Sequence, residues 1–243
     1  VLPAVYSDVA AEYLAATTGA AVYDSSYTGR LQATGRDALD LLNRLSSNKI
    51  DDLKPGTSVP TVLTTDRGRI LDLITVLNTG NDLLLLTSAG TQETVISWLD
   101  KYTILEDLTL EDITESTAKL AVFGPGALNA LEAVVGVDSV DLALFHSIEV
   151  LLGGTPARII STRVSSLACY YVLTSNETAP GVWQMLVEAG AKPIGTLAYE
   201  AARVRYCLPV HGREMGDAYN PLEAGLIGSI DFAKGCYIGQ EVI

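Results

Sequence analysis

Apolar residues along this chain fall into two rhythms, and the switches between them lay out the elements. "SDVAAEYLAATTGAAVYD" reads as a short amphipathic helix followed by a strand, and "GRLQATG" alternates as a second strand. In "GRDALDLLNRLSSN", Leu39, Leu42 and Leu45 take helical spacing, with Asp37 near the start, where an acid suits the helix dipole. After the turn "KPG", the stretches "SVPTVLTT" and "RILDLITVLN" read as strands joined by the tight turn "DRG". "TGND" turns the chain again into the strand "LLLLTS". "TQETVISWLDKY" returns to helical spacing through Val95, Ile96 and Leu99, and "LEDLTLEDIT" alternates as a strand.

A second, similar pass begins at "KLAVFGPGALNALEAVVG": a strand, a Gly-Pro-Gly turn and a helix running to about Val135. "SIEVLLGGTPARIISTR" predicts a hairpin around Gly153-Gly154, and "CYYVLTS" predicts a strand. "TAPGVWQMLVEAG" predicts a helix ending at Gly190, and "TLAYEAARVRY" a further helix. Strands grouped with helices in this order predict an α+β fold with antiparallel sheets. After Cys207 there is no long periodic segment, only turns rich in Gly, Pro and polar residues. A loop this long in a compact protein is usually functional.

The 243 residues allow one large domain or two to three small ones, and 48% hydrophobic with 19% charged residues is ordinary for a soluble globular chain. No apolar run approaches the ~20 residues of a membrane span. The chain starts at Val1 rather than Met, so a few residues are expected to precede it, and no secretory signal is visible. A net charge of -13 repels phosphate backbones, so direct nucleic-acid binding is not expected. An anionic ligand would need a local basic cluster, and Arg67 with Arg69, or Arg203 with Arg205, supplies one unless they are simply solvated arginines. Cys169, Cys207 and Cys236 stand far apart, as do His146 and His211, so no metal site is expected. Free thiols without a signal point to a reducing, cytoplasmic compartment.

The tail reads "FAKGCYIGQEVI". Lys234, Cys236, Gln240 and Glu241 alternate with Gly235 and Gly239, which let backbone approach a ligand closely. A lysine near a thiol favours the thiolate. The other reading of the same residues is a glycine-rich turn around an inert cysteine.

"KGCYIGQE" resembles the signature of the YgfZ-type folate-binding proteins, which act in iron–sulfur cluster assembly and repair. The wider chain resembles the superfamily these share with aminomethyltransferase, the T-protein of the glycine cleavage system. "AAVYDSSYTGRLQATGRDALDLLNRLSSNKIDDLKPG", "TTDRGRILDLITV" and "NPLEAGL" carry that likeness. The resemblance implies a T-protein-like folate-binding fold with ferredoxin-like antiparallel-sheet modules and a C-terminal β-barrel, the last expected to be missing from these residues. It groups residues 1–50 with 115–210 as discontinuous first and related α+β modules, 51–114 as a ferredoxin-like middle portion, and 211–243 as the loop-rich segment carrying the signature.

By the same resemblance Asp72 takes the place of the T-protein's catalytic aspartate, where a carboxylate positions or protonates a pterin. As a residue alone, Asp72 is equally the polar-face position of a strand. Cys236 is the expected key thiol. Tetrahydrofolate or a derivative is the expected cofactor, held by Asp72, Arg203, Glu223, Lys234, Tyr237, Gln240 and Glu241. Two departures stand out. The T-protein's "GYTGEDGFE" corresponds to "RVSSLACYYV", which has no acid, and its "RLEAG" to "RVRYC", where Arg203 is kept and Arg205 replaces the glutamate. A carboxylate accepts two hydrogen bonds from a pterin edge at once, so folate must be held differently here, with Glu223 a substitute. The implied function is a tetrahydrofolate-binding accessory factor for iron–sulfur enzymes, radical-dependent tRNA-modifying ones included, with iron–sulfur client or assembly proteins as partners. The alternative is an aminomethyltransferase-like one-carbon transfer enzyme, and a third reading is a degenerate folate module that only binds partners.

Overall fold

The computed structural model describes residues 2–136, 142–164 and 167–243, the side chains of Arg163 and Val164 excepted. The chain divides into two units, Val1–Ser26 with Glu115–Leu208 and Tyr27–Thr114 with Pro209–Ile243.

In the first unit the strands are β1 (Ala21–Asp24), β7 (Thr117–Phe123), β8 (Ser147–Leu152), β9 (Thr155–Val164), β10 (Leu167–Ser175) and the short β11 (Lys192–Pro193). They form one sheet in the order β11-β1-β7-β10-β9-β8, antiparallel except for the parallel β1–β11 pair. Side-chain alternation sends Val22, Leu120, Val122, Tyr170 and Val172 to one face, where α4 (Ala127–Val135) and α5 (Ala179–Glu188) cover them. Ala21, Tyr23, Ala121, Phe123 and Cys169 go to the other face, under α1 (Val9–Thr18) and α6 (Thr196–Arg205). Both faces are therefore buried. Burial pushes the Cys169 thiol up to about 12, so it acts as a small hydrophobe.

The second unit holds β2 (Gly29–Thr34), β3 (Ser58–Thr64), β4 (Ile70–Asn78), β5 (Leu83–Thr87) and β6 (Thr109–Asp112) in the order β3-β4-β5-β2-β6, with every pair antiparallel. The helices α2 (Ala38–Leu45) and α3 (Gln92–Tyr102) lie on one face, where Leu41, Leu42, Leu45, Val95 and Leu99 meet Leu31, Ile74 and Leu85. Part of the other face, at Val62 and Ile70, is covered by Met215 and Leu226 of the loop-rich tail.

The two passes seen in the sequence are one repeated plan. β2-α2-β3-β4-β5-α3-β6 and β7-α4-β8-β9-β10-α5-β11 follow the same succession, and β3-β4-β5-β2 matches β8-β9-β10-β7 in strand order. In the first unit β1 pairs antiparallel to β7, as β6 does to β2, and displaces β11 to the edge. Corresponding "TGRDAL" and "FGPGAL" stretches carry Gly35 and Gly124 at the strand-to-helix turn, where a Cβ would sit 2.0 Å from Asp107 O and 2.4 Å from Gly19 O.

Two expectations change. Residues 27–50 were grouped with the first module, but β2 pairs with β5 and β6, so these residues are part of the second unit. The segment "LEDLTLEDIT" forms a strand only over Thr109–Asp112. Before it, Glu106 Oε2 accepts the backbone N–H of Ile104 at 3.0 Å and of Leu105 at 3.1 Å, while Oε1 accepts Arg44 Nη2 at 2.8 Å, which holds that stretch as a loop. Ser165 and Ser166 of "RVSSLACYYV" lie outside the described residues. Beyond α6 the described residues form turns, one isolated bridge between His211 and Met215, and two short 3-10 helices, Ile227–Ser229 and Gln240–Val242, with no barrel strand.

Candidate functional site

The candidate site is built in the second unit around β4. Its register on β3 pairs Leu63 with Asp72 and Thr64 with Ile70, so Leu71 has no opposite residue and forms a bulge. The bulge brings Leu71 to the α3 side, where alternation from Ile74 and Val76 already places Asp72. Leu71 packs on the core that contains Val95 and Leu99, and it lines a shallow groove of about 470 Å³ with Gly90, Glu93, Thr94, Ser97 and Trp98.

Asp72 is wholly buried at 0% exposure, so the solvated strand-face reading does not hold. Its Oδ2 accepts the Ser88 N–H at 2.9 Å and the Thr91 hydroxyl at 2.6 Å. Its Oδ1 is buried without a partner among the described residues. Burial raises the carboxyl above its usual value, and the bonds from Ser88 and Thr91 and the charge of His211 pull it back only in part. Thr91 is the residue that caps α3, yet its side chain makes no capping bond, because its hydroxyl is turned to Asp72 and to Ser88 O. The sequence analysis missed Thr91 and Ser88. The one available signal was a Thr immediately before a helical run, a position that ordinarily means a cap.

The signature lies over the C-terminal end of α2 and the β3–β4 hairpin. Lys234 Nζ donates to the backbone carbonyls of Asn43 at 2.6 Å, Ser46 at 2.7 Å and Asn48 at 2.7 Å. The ammonium also sits 5.2 Å from the Tyr237 ring centroid. Burial lowers Lys234 to about 8 against the pull of Asp231 and Asp51, so it is still protonated at neutral pH. Four residues on, the Thr64 hydroxyl donates to Ile238 O at 2.7 Å, and the Ile238 side chain packs on the α2–α3 core. Gly239 follows at φ 85°, where a Cβ would stand 2.5 Å from Thr65 O. Cys236, between the two fastened points, is exposed and free.

The remaining predicted residues are dispersed. Gln240 Oε1 accepts the Tyr237 N–H at 3.1 Å, and Gln240 Nε2 donates to the exposed Glu241 at 3.2 Å. Burial raises the Tyr237 phenol. Glu223 is exposed. It accepts the Asn220 N–H at 2.8 Å, its own N–H donates to Asn220 Oδ1 at 2.9 Å, and it stands 3.6 Å from Arg69. That closes the "NPLEAGL" turn on itself. Arg203 belongs to the first unit, 3% exposed, with Glu200 at 2.7 Å and Leu208 O at 3.3 Å, so its guanidinium is taken up locally. The second unit thus carries Asp72, Glu223 and the signature, while Arg203 stabilises α6.

The GCVT N-terminal domain family matches residues 2–234, nearly the whole chain. The chain belongs to this family. An aminomethyltransferase of Geobacillus kaustophilus is 30% identical over 249 residues, which span 100% of this chain and 68% of that protein. A putative chloroplastic transferase of Arabidopsis thaliana is 30% identical over 226 residues, 93% of this chain and 52% of its own length. Among solved structures, glycine cleavage system aminomethyltransferase T from Bartonella henselae superposes with a TM-score of 0.87 at 20% identity, over 99% of this chain and 67% of that one. The fold is therefore the α+β T-protein fold.

Within this GCVT-type chain, no group of three or more His, Cys, Asp or Glu side chains among the described residues is placed to hold a metal ion. Among the described residues no helix is long and apolar enough to cross a membrane. The chemistry on offer is a buried carboxylate with an open acceptor, and an exposed thiol on a fastened segment.

Proposed function

We propose that this chain binds a reduced folate at Asp72 and, through Cys236, serves the assembly or repair of iron–sulfur enzymes in the manner of the YgfZ-type proteins. The observation that carries the folate part is the orphaned Asp72 Oδ1. A buried acceptor without a donor is unfavourable, and a ligand N–H brought to it would relieve that. Reduced folates carry ring N–H and amine groups of this kind, so the residue fits the cofactor. When bound, such a folate supplies amine nitrogens that accept or release a one-carbon unit. Asp72 orients that ligand and, being raised by burial, holds a proton more readily than an exposed aspartate. Tyr237, Gln240 and Glu241 are proposed beside it, while Arg203, Glu223 and Lys234 hold protein structure.

The iron–sulfur part rests on the "KGCYIGQE" signature and on the exposure of Cys236. A single cysteine does not hold a cluster, since clusters usually take four ligands. Cys236 acts as a redox thiol or as one ligand shared transiently with a client, in the cytoplasm. Full iron–sulfur enzyme activity in cells carrying Cys236→Ala would end this reading.

The second reading, aminomethyl transfer, is favoured by relatives that bear that name across the whole chain. An assay with an aminomethylated lipoyl carrier and tetrahydrofolate separates the two. Turnover supports transfer, and calorimetric binding of tetrahydrofolate without turnover supports the accessory role.

A further inference from the structure

We infer that Lys234 is a positioning residue that fixes the Cys236 thiol in place by docking the segment that carries it onto α2. The inference rests on Cys236 being the working thiol. An ammonium has three N–H donors and no acceptor, and here all three are matched by converging backbone carbonyls of Asn43, Ser46 and Asn48. Those carbonyls belong to the last turn of α2 and the residues just beyond it, which lack partners within the helix. Lys234 therefore caps α2 from a segment that follows it by 186 to 191 residues.

The bonds are short, and the ammonium is part-buried with Tyr237 across one side. The second fastening, Thr64 to Ile238 O with Gly239 closed on the hairpin, lies two residues beyond Cys236. The thiol is thus held in a span of three residues between two anchors. Lys234 directs its three donors to those carbonyls and none to Cys236, which is exposed. The charge that the sequence placed beside the thiol points into α2 instead.

The match is to three acceptors, not to positive charge as such. Arginine presents a planar fork and cannot place three N–H groups on carbonyls that converge on one point.

The experiment attaches a nitroxide label to Cys236 in a Cys207→Ser background, where Cys169 is buried and does not react. Electron paramagnetic resonance then reads label mobility with no folate or client present, so its outcome is separate from the fate of the Cys236 reading itself. An ordered label in the parent is expected, with a several-fold faster correlation time in both Lys234→Met and Lys234→Arg. An ordered label in Lys234→Met overturns the inference. Order restored by Lys234→Arg alone overturns the three-carbonyl match. Should Lys234→Met not fold, the Arg variant alone decides.

Discussion

Asp72 accepts the Thr91 hydroxyl at 2.6 Å through Oδ2 while its Oδ1, equally buried, has no donor among the described residues. A carboxylate so arranged is poorly solvated for its charge. Its folded-state proton affinity is raised, so the folded chain binds the proton more tightly than the unfolded one. The stabilising contribution of the protonated form is present below the ordinary value of 3.8 and is lost as pH rises through the folded value. Asp72→Asn removes that loss while its side-chain oxygen still accepts from Ser88 and Thr91. It is expected to gain on the order of 1 kcal/mol at pH 7. For a chain of this size that is about 2–4 °C in thermal midpoint. Tetrahydrofolate binding, read by calorimetry, is expected to fall in the same variant. A lower midpoint at pH 7 contradicts the assignment.

Thr91→Val tests the same pair from the other side. The variant keeps the shape and removes the O–H, which leaves Ser88 alone to donate to Asp72. The expected destabilisation is about 1–2 kcal/mol by chemical denaturation. In an Asp72→Asn background the effect shrinks, because a neutral amide needs the hydroxyl less. A double-mutant cycle measures this, and strict additivity refutes the coupling.

Glu106 gives the clearest dependence on acid. Its carboxylate is held at about 2, against an ordinary 4.5, chiefly by Arg44 and by the N–H groups of Ile104 and Leu105. A depressed folded value means the contribution is present above pH 4.5 and fades as pH falls toward 2. Hydrogen exchange at the Ile104 and Leu105 amides is the readout, referenced to intrinsic rates at each pH. Protection is expected at pH 6, with a partial fall by pH 3 and loss at both in Glu106→Gln. Protection that survives pH 3 unchanged rules the clasp out. The two side chains it presents are 81% and 92% exposed, so they do not hold the loop by packing.

Legibility in the sequence followed the range of the interaction. The Gly153-Gly154 hairpin was readable because turn chemistry is local, and Gly153 and Gly154 take φ of 56° and 87°. The helices α2 and α4 were readable because their apolar spacing repeats. The grouping of residues 27–50 was not, since β2 finds its partners in strands that begin at Leu83 and Thr109. The site divides in the same way. Asp72 and Cys236 were found through the resemblance, whereas the direction of Lys234 depends on carbonyls of no particular residue type. No side-chain pattern records a backbone acceptor. The bulge that sets Leu71 beside Asp72 on the α3 side is likewise a property of pairing with β3.

Gly239 closes the second anchor of the Cys236 span, and its requirement is steric. At φ 85° a side chain is strained, and a Cβ would meet Thr65 O at 2.5 Å and Thr64 Oγ1 at 2.9 Å. The same Thr64 Oγ1 donates to Ile238 O, so relief of the clash pulls on the bond that fastens the segment. Gly239→Ala is expected to cost about 1–3 kcal/mol where the segment is docked. Because the strain is local, much of it is relieved by undocking rather than by unfolding. The loss should therefore appear as faster exchange at the Ile238 and Gln240 amides, and as a more mobile label on Cys236, with a smaller fall in the global midpoint. Equal exchange rates in Gly239→Ala and the parent would show that the hairpin tolerates the methyl group and that Lys234 alone holds the thiol.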